Sequence, residues 1–332
     1  MTQVAGTTDT YDLVGRREDF RDAIYMITPE QTPLLSMIGK SEAKNTRHEW
    51  QTDTLAAPNQ ANAQLEGDDY GYADVAQPVR VSNLTQISYK TFMVSGTAEE
   101  VKKAGRPGNS EIGRANLKYG KEVMRDIEAA VLARNQASVL GAAATARQSG
   151  SLSSWLTSNV SRGATGANGG FNSGTGLTVA ATDGTLRTFA ETQVQDVMQA
   201  AYTAGGKPNV LMMAPTRKRQ FSAFTGNLGT NATMPVDGKV TGARSIVAGA
   251  DFYKSDFGTL KVVPNYIMAA AAVPRVRDVF ALDPSMLEIA YLRPFQRQKL
   301  AKTGDAEKRA VIAEWTLIVR NEAGNGVVAD VQ

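Results

Sequence analysis

Near the N-terminus, "REDFRDAIYMI" sets Phe20, Ile24 and Ile27 three and four positions apart, the spacing of one face of a short helix. Pro29 and Pro33 interrupt regular structure, and Leu34, Leu35, Met37 and Ile38 follow as an apolar knob. Two destinations are open for residues 1–46: their own domain, or a neighbouring molecule. The neighbour is favoured, because so few apolar residues cannot fold alone. From residue 47 the pattern becomes strand-like. "RHEWQTDTLAAP" and "VRVSNLTQISYKTFMVSGTA", with Val79, Val81, Leu84, Ile87 and Tyr89, favour extended backbone, and "NQANAQLEGDDYGYADVAQ" between them is polar. A long hairpin with a loose tip is predicted over 47–95. It has little of its own chain to cover one face, so another subunit is its natural partner.

The clearest helical pattern runs over 108–140. Leu117, Met124, Val131 and Ser138 recur at seven, and Val123, Ile127 and Val131 recur at four. Asn109 or Ser110 can cap its start and Gly141 its end, and Arg125 can pair with Glu128 across one turn. Residues 141–185 are rich in Gly, Ser, Ala and Asn and read as a loop or insertion of little hydrophobic content. A second helix is predicted from Thr185 to Ala204, then a buried strand "NVLMMAP" and a helix "TRKRQFSAFTG" with Thr216 as cap. On that helix Arg217, Lys218 and Arg219 spread around the axis as a solvated turn. Strand runs "RSIVAGADFYKSDF", "GTLKVVPNY" and "RVRDVFALDP" complete a mixed subdomain, with "DFYKSDFGTLKVVPN" as a hairpin. Finally, "MLEIAYLRPF" and "AVIAEWTLIVRN" can pair as long strands around the charged link "RQKLAKTGDAEKR". In the second run Val311, Ala313, Trp315, Leu317 and Val319 mark one side. The other side is also partly apolar, as a strand covered on both faces requires.

The chain has 332 residues, 42% of them hydrophobic, enough for a real core and two linked subdomains. Net charge is only +3, so no global electrostatic case for nucleic acid exists. There is no cysteine, hence no disulfide, thiolate nucleophile or cysteine metal site. No signal-like leader and no apolar run of membrane-spanning length is present, and a soluble protein with no membrane partner is expected.

Catalytic chemistry has little to stand on. The single histidine, His48, lies in strand-like sequence beside Arg47, Glu49 and Trp50 and reads as a hairpin-base contact rather than a general base. The glycine-rich stretch lacks the lysine of a phosphate-binding loop. Asp68, Asp69 and Asp74 in "EGDDYGYAD" are the best oxygen-ligand candidates, yet they miss the calcium-loop spacing. No catalytic, cofactor or metal residues are therefore assigned. One enzymatic rival stays open, a carboxylate hydrolase, which would need paired acids in a closed pocket.

The order of parts carries a resemblance. "ISYKTFMVSGTAEEVKKAG", "GKEVMRDIEAAVLARN", "NVLMMAPTRKRQFSAFTG" and the stretch 282–324 together resemble the major capsid proteins of tailed double-stranded DNA bacteriophages. The likeness is nearest to the branch typified by a long-headed enterobacterial podovirus. It implies an α+β fold with an N-terminal arm (1–46), an extended loop (47–95) and a peripheral domain (96–205) whose spine helix is 108–140. An axial domain (206–280) and the closing peripheral strands (281–332) would follow. It also implies self-assembly into hexamers and pentamers forming an icosahedral or elongated head; the rival within the same class is another virion component, such as a head-decoration or tail protein. Expected partners are other copies, a portal, a scaffold or maturation protease, and packaged DNA held by weak contacts, with assembly in the host cytoplasm.

Intersubunit contacts are expected from Phe20, Ile24, Leu34, Leu35, Met37 and Ile38 of the arm. On the loop they are expected from Trp50, Asp68, Asp69, Tyr70, Tyr72, Val79 and Val81, and on the closing strands from Arg293, Arg297 and Lys299. Some relatives lock their shells through a loop lysine. Residues 45–89 contain none, with Lys44 and Lys90 at the base, so a noncovalent shell is expected.

Overall fold

The computed structural model describes residues 31–67, 69, 71–103, 109–224, 251–271, 275–302 and 304–332. The expected arm helix around Phe20 and Ile24, and residues 225–250 of the expected axial region, lie outside them. In chain order the elements begin with α1 (Pro33–Met37), β1 (Gly39–Glu42), β2 (Arg47–Thr52), β3 (Val79–Leu84) and β4 (Gln86–Ser95). Next come α2 (Gly96–Glu100), α3 (Glu111–Leu132), β5 (Val160–Ser161), β6 (Gly170–Asn172), β7 (Leu177–Val179) and α4 (Glu191–Thr203). They continue with β8 (Val210–Met213), α5 (Pro215–Ser222), β9 (Phe252–Ser255), β10 (Gly258–Pro264) and α6 (Ile267–Ala270). The chain closes with β11 (Val279–Leu282), β12 (Leu287–Lys299), β13 (Ala306–Val319) and β14 (Gly326–Val328).

Two sheets share α3 between them. The first runs β1-β12-β13-β4. β12 and β13 pair antiparallel from Leu287 opposite Val319 out to Lys299 opposite Arg309. Pro294, which cannot donate to a ladder, sits inside a register shift between Arg293 and Gln296, where a strand tolerates it. Alternation sends Val311, Ala313, Trp315, Leu317 and Val319 into the main core with Val123, Ile127 and Val131 of α3. The opposite face buries Ile318 and Ala290 against Ala43, flanked by Trp50 and Leu292. Both faces are covered at this end, as the apolar character of both sides requires.

The second sheet runs β5-β14-β11-β8-β10-β9. Alternation in β8 sends Val210 and Met212 to the α3 core, and Leu211 and Met213 to a second cluster. There they meet Val194, Val197 and Met198 of α4 and Phe221 of α5. A strand buried on both faces reads as an unbroken apolar run, and β8 does. β9 and β10 form the expected hairpin. Among the described residues, 206–280 supply β8, β9, β10 and the start of β11, and the sheet is completed by β14 near the C-terminus and by β5. The expected boundaries at 205/206 and 280/281 therefore cut through one sheet.

Four further readings change. The spine helix ends at Leu132 rather than at 140, so its length is about 33 Å at 1.5 Å per residue. Polar residues after Ala133 bond to other loops instead of continuing the helix. Ser138 exchanges hydrogen bonds of 2.8 Å with Thr178, and the Gln136 amide donates to Ser151 Oγ at 2.9 Å. At the other end Ser110 is the cap, accepting from the Gly113 amide at 2.9 Å. The Glu99 carboxylate accepts from the Glu111 and Ile112 amides beside it. The second helix begins at Glu191, because Arg187 is drawn into backbone pairing with Asp330 and Gln332. α5 starts on Pro215 with Ala214 as its cap residue, leaving Thr216 inside the first turn, and Arg217 and Lys218 bond to Val276 and Asp251 rather than to solvent alone. Finally, the glycine-rich stretch buries Leu152, Trp155 and Leu156 in the main core, where it was read as nearly devoid of hydrophobic content.

Candidate interaction surfaces

Around α1 the chain turns inward. Leu34, Leu35 and Ile38 are buried in the main core of their own chain, with Leu34 only 1% exposed, and Met37 packs partly against it. The first turn of a helix leaves amides without partners, and Pro33 removes one of them. A carboxylate on α3 takes the next two: Glu128 accepts from the Leu34 amide at 3.3 Å and the Leu35 amide at 3.2 Å. Asn265, following β10, donates its side-chain amide to the same Glu128 oxygen as Leu34, at 2.5 Å. Glu128 is completely buried. Burial raises its pKa above the ordinary 4.5, against the pull of the Leu35, Asn265 and Leu34 hydrogen bonds. The expected pair with Arg125 does not form; Arg125 lies over the Tyr266 ring instead. The knob read as a contact for a neighbour is thus satisfied within its own subunit, because α3 supplies both an apolar wall and an acceptor for the helix start.

The hairpin divides into a docked base and a bare tip. β2 and β3 pair from Arg47 opposite Leu84 to Thr52 opposite Val79, while residues 86–95 leave the hairpin to pair with β13. Trp50 donates its indole N–H to the Val319 carbonyl at 3.0 Å and packs at 5.4 Å from the Trp155 ring. Val81 is buried, so it and most of Trp50 are engaged by their own chain, whereas Val79 stays exposed. His48 sits at the hairpin base 6.1 Å from Trp50, and burial pushes its pKa below the ordinary 6.5 while Glu288 acts the other way. Beyond Thr52 no regular element forms among the described residues before Val79. Leu55 is 99% exposed, Leu65 80%, Tyr72 97% and Val75 82%. Asp69 is also exposed; Asp68 and Tyr70 lie outside the described residues.

The outer half of the first sheet projects with much of its surface in solvent. Arg293 bonds to the buried Glu314 at 2.8 Å, a carboxylate that Arg147 and Thr85 also hold. Lys299 pairs with Glu307 at 3.1 Å. Hydrogen bonds from Arg309 and Lys299, with Lys302 nearby, bring Glu307 down to about 2. Arg293 and Lys299 are therefore committed within their own hairpin, and Arg297 is the one of the expected three that is exposed without an ion pair among the described residues. On β4, Ile87, Tyr89 and Met93 expose an apolar stripe.

Where β4, α3 and α6 meet, a groove of about 1140 Å³ is lined by Lys90, Arg125, Arg134, Arg275 and Arg277 together with three carboxylates. Lys90 is paired with Asp126 at 3.1 Å, Arg275 with Asp183 at 2.8 Å and Arg277 with Asp183 at 3.3 Å. Arg134 is exposed, and Arg125 Nε is buried without a hydrogen-bond partner. Sequence reasoning missed this groove because its residues come from four separated segments. Among the described residues no group of acids and His48 is placed to hold a metal ion, and no helix is long and apolar enough to cross a membrane.

Comparison with known proteins bears on all of these surfaces. Residues 3–332 match the family of the SU10 major capsid protein. The major capsid protein of Escherichia phage Phieco32 is 28% identical over 347 residues, covering 96% of this chain and 95% of that one. Among solved structures, a capsid chain of a native GTA particle superposes with a TM-score of 0.59 at 11% identity over the whole of both chains. The capsid of cyanophage A-1(L) gives 0.59 at 12% identity over 97% and 98% of the two chains. A chain from Gordonia phage Cozz gives 0.58 at 10% identity over 99% and 97%. At such identities the structures establish a shared fold.

Proposed function

This chain belongs to the SU10 major capsid protein family, a structural component of tailed-phage virions, and from that premise we propose that its copies close into a head of hexamers and pentamers around double-stranded DNA. The observation that carries the reading is the hairpin tip. Leu55, Leu65, Tyr72 and Val75 are left almost wholly in water by their own subunit. Large apolar side chains exposed together with so little cover from their own chain favour a second surface over them, and in a shell the adjacent subunit is that surface. The role is structural rather than catalytic, with assembly in the host cytoplasm and with portal, scaffold or protease, and DNA as further partners.

The shell is noncovalent. No amine lies between residues 45 and 89 to form a lysine–asparagine bond at the loop. Many modest interfaces hold it, each repeated at every subunit. Purified protein viewed by negative-stain microscopy should show closed shells or hexameric sheets, and particles run on a denaturing gel should give a single band near 35.5 kDa. Small discrete particles would refute the container, and a covalent ladder would refute the noncovalent lock.

A further inference from the structure

We propose that the glycine-rich insertion 141–185 is a collar that fixes the direction in which the β2–β3 hairpin leaves its own subunit, and so the uniformity with which shells close; this rests on the shell reading above. β2 and β3 form a two-stranded ribbon of their own, joined to neither large sheet. Such a ribbon is marginal alone, so its direction comes from whatever grips its base. β13 supplies part of the grip. Trp50 and Asn83 donate to the Val319 and Leu317 carbonyls at 3.0 and 2.7 Å, and the Thr85 hydroxyl donates to Glu314 at 2.9 Å. The insertion supplies the rest. Ser82 donates to the Gly176 carbonyl at 2.9 Å, Asn83 donates to Ser149 Oγ at 3.1 Å, and the Gly150 amide donates back to Asn83 at 2.9 Å. Arg147 Nε donates to the Thr85 carbonyl at 2.7 Å, and the Ser149 amide to Gln86 Oε1 at 3.2 Å. Ser149 Oγ also accepts from the Leu317 amide at 3.3 Å, so one residue of the insertion ties the ribbon to β13. Trp155 meets the Trp50 ring and stacks in turn on Phe171 of β6 at 5.7 Å.

The glycines serve this grip. A Cβ at Gly150 would lie 2.4 Å from Thr178 Oγ1, and one at Gly169 would lie 2.7 Å from the Val179 carbonyl oxygen, both on β7. Gly176, at a φ of +66°, turns the chain beside the Arg47 guanidinium at the start of β2. The insertion is therefore packed rather than slack. Ser82 and Asn83 are buried, and hydrogen bonds away from water hold a single geometry. Leverage makes that geometry matter. About 13 residues on each limb beyond the base reach up to about 45 Å when extended, so a swing of about 10° at the base moves the far end by about 8 Å. A ribbon aimed before subunits meet also loses less freedom on assembly.

The protein has no native cysteine, so spin labels can be placed at Gln51→Cys on β2 and Lys118→Cys on α3, both exposed positions. In free subunits the distance between the labels, read by double electron–electron resonance, should be narrowly distributed in the parent. It should become about twofold broader when Ser82→Ala and Arg147→Ala are combined. Unlabelled, that double variant should stay folded by circular dichroism yet give about tenfold fewer shells of uniform diameter in electron micrographs, because the same angular error recurs at every subunit. Arg147→Lys in place of Arg147→Ala keeps a donor for the Thr85 carbonyl and should restore most of the uniformity. Phe171→Ala leaves the hydrogen-bonding residues untouched and should broaden the distances by a second route. Val197→Ala, in the α4 cluster, should lower subunit stability while leaving both the distances and the shell diameter unchanged. Distances as narrow in the loosened variants as in the parent, or uniform shells despite broadened distances, overturn the collar and leave the container intact. Shells scattered to the same extent by Val197→Ala also overturn it, because closure would then follow stability rather than direction. A parent chain that builds neither shells nor sheets removes the container reading, and the claim about closure falls with it.

Discussion

Two segments that carry apolar side chains lie within 40 residues of each other, the α1 knob and the hairpin tip, and they end in opposite situations. Leu34 is 1% exposed, while Leu55 and Tyr72 stand at 99% and 97%. The tip is the more polar of the two, with five carboxylates from Asp53 to Val79 against none in residues 34–38. The backbone is also treated differently. The knob forms a helical turn whose first free amides are accepted by Glu128, so both its side chains and its polar groups can leave water. The described residues of the tip form no regular element. Its described backbone groups are met by side chains close by in the tip, as Asp53 meets the Thr54 amide at 2.8 Å and Asn59 the Ala61 amide at 2.9 Å, and otherwise face solvent. Burial of the knob thus rests on an apolar sequence together with an acceptor for its backbone, and the tip has neither from the rest of the subunit.

The largest way to break this contrast is at Glu128. Replacing it with Ala strands the Leu34 and Leu35 amides and the Asn265 side chain, and should cost about 3–5 kcal/mol of subunit stability by denaturant unfolding. A cost below about 1 kcal/mol would mean that the knob is held by its apolar wall alone. A smaller effect follows from titration. Glu128 has its pKa raised in the folded subunit from the ordinary 4.5, with burial as the main cause. The native state then holds the proton more tightly than the unfolded chain does, so this group's contribution to stability is full below 4.5 and declines as pH rises through the raised value. The margin of the wild type over Glu128→Gln, followed by unfolding from pH 4.5 toward neutrality, should shrink with rising pH; a margin that grows would reverse the sign. The smallest effect belongs to the tip. Leu65→Ser and Tyr72→Ala should change subunit stability by no more than about 0.5 kcal/mol, yet reduce assembly in sedimentation profiles. A large loss of subunit stability would show that the tip has a place on its own chain.

Much of the architecture is readable from alternation and spacing. The β12–β13 pair shows on both faces of the second strand, and Val123, Ile127 and Val131 mark the buried stripe of α3 correctly. What escapes is decided by partners remote in sequence. Ser138 continues the seven-residue spacing of Val131, but Thr178 captures it. Trp155 lies in a stretch whose glycines suggest an open loop, and it is Trp50, more than a hundred residues away, that gives it a place in the core. Glu128 looks like a surface ion pair with Arg125 until α1 arrives with two free amides. The β5 and β14 strands are too short to announce that they finish a sheet begun elsewhere. The surfaces follow the same division: the exposed acidic tip is legible as a run of residues, whereas the groove assembled from β4, α3, Asp183 and the α6 region is not.

Hydrogen–deuterium exchange, compared between free subunits and assembled shells, tests most directly whether the tip is completed by a neighbour and the knob by its own subunit. The expected result is strong protection of residues 33–38 in both states, with residues 53–78 exchanging at once in the free subunit and becoming protected only in the shell. Residues 53–78 already protected in the free subunit, or equally open in both states, would contradict it.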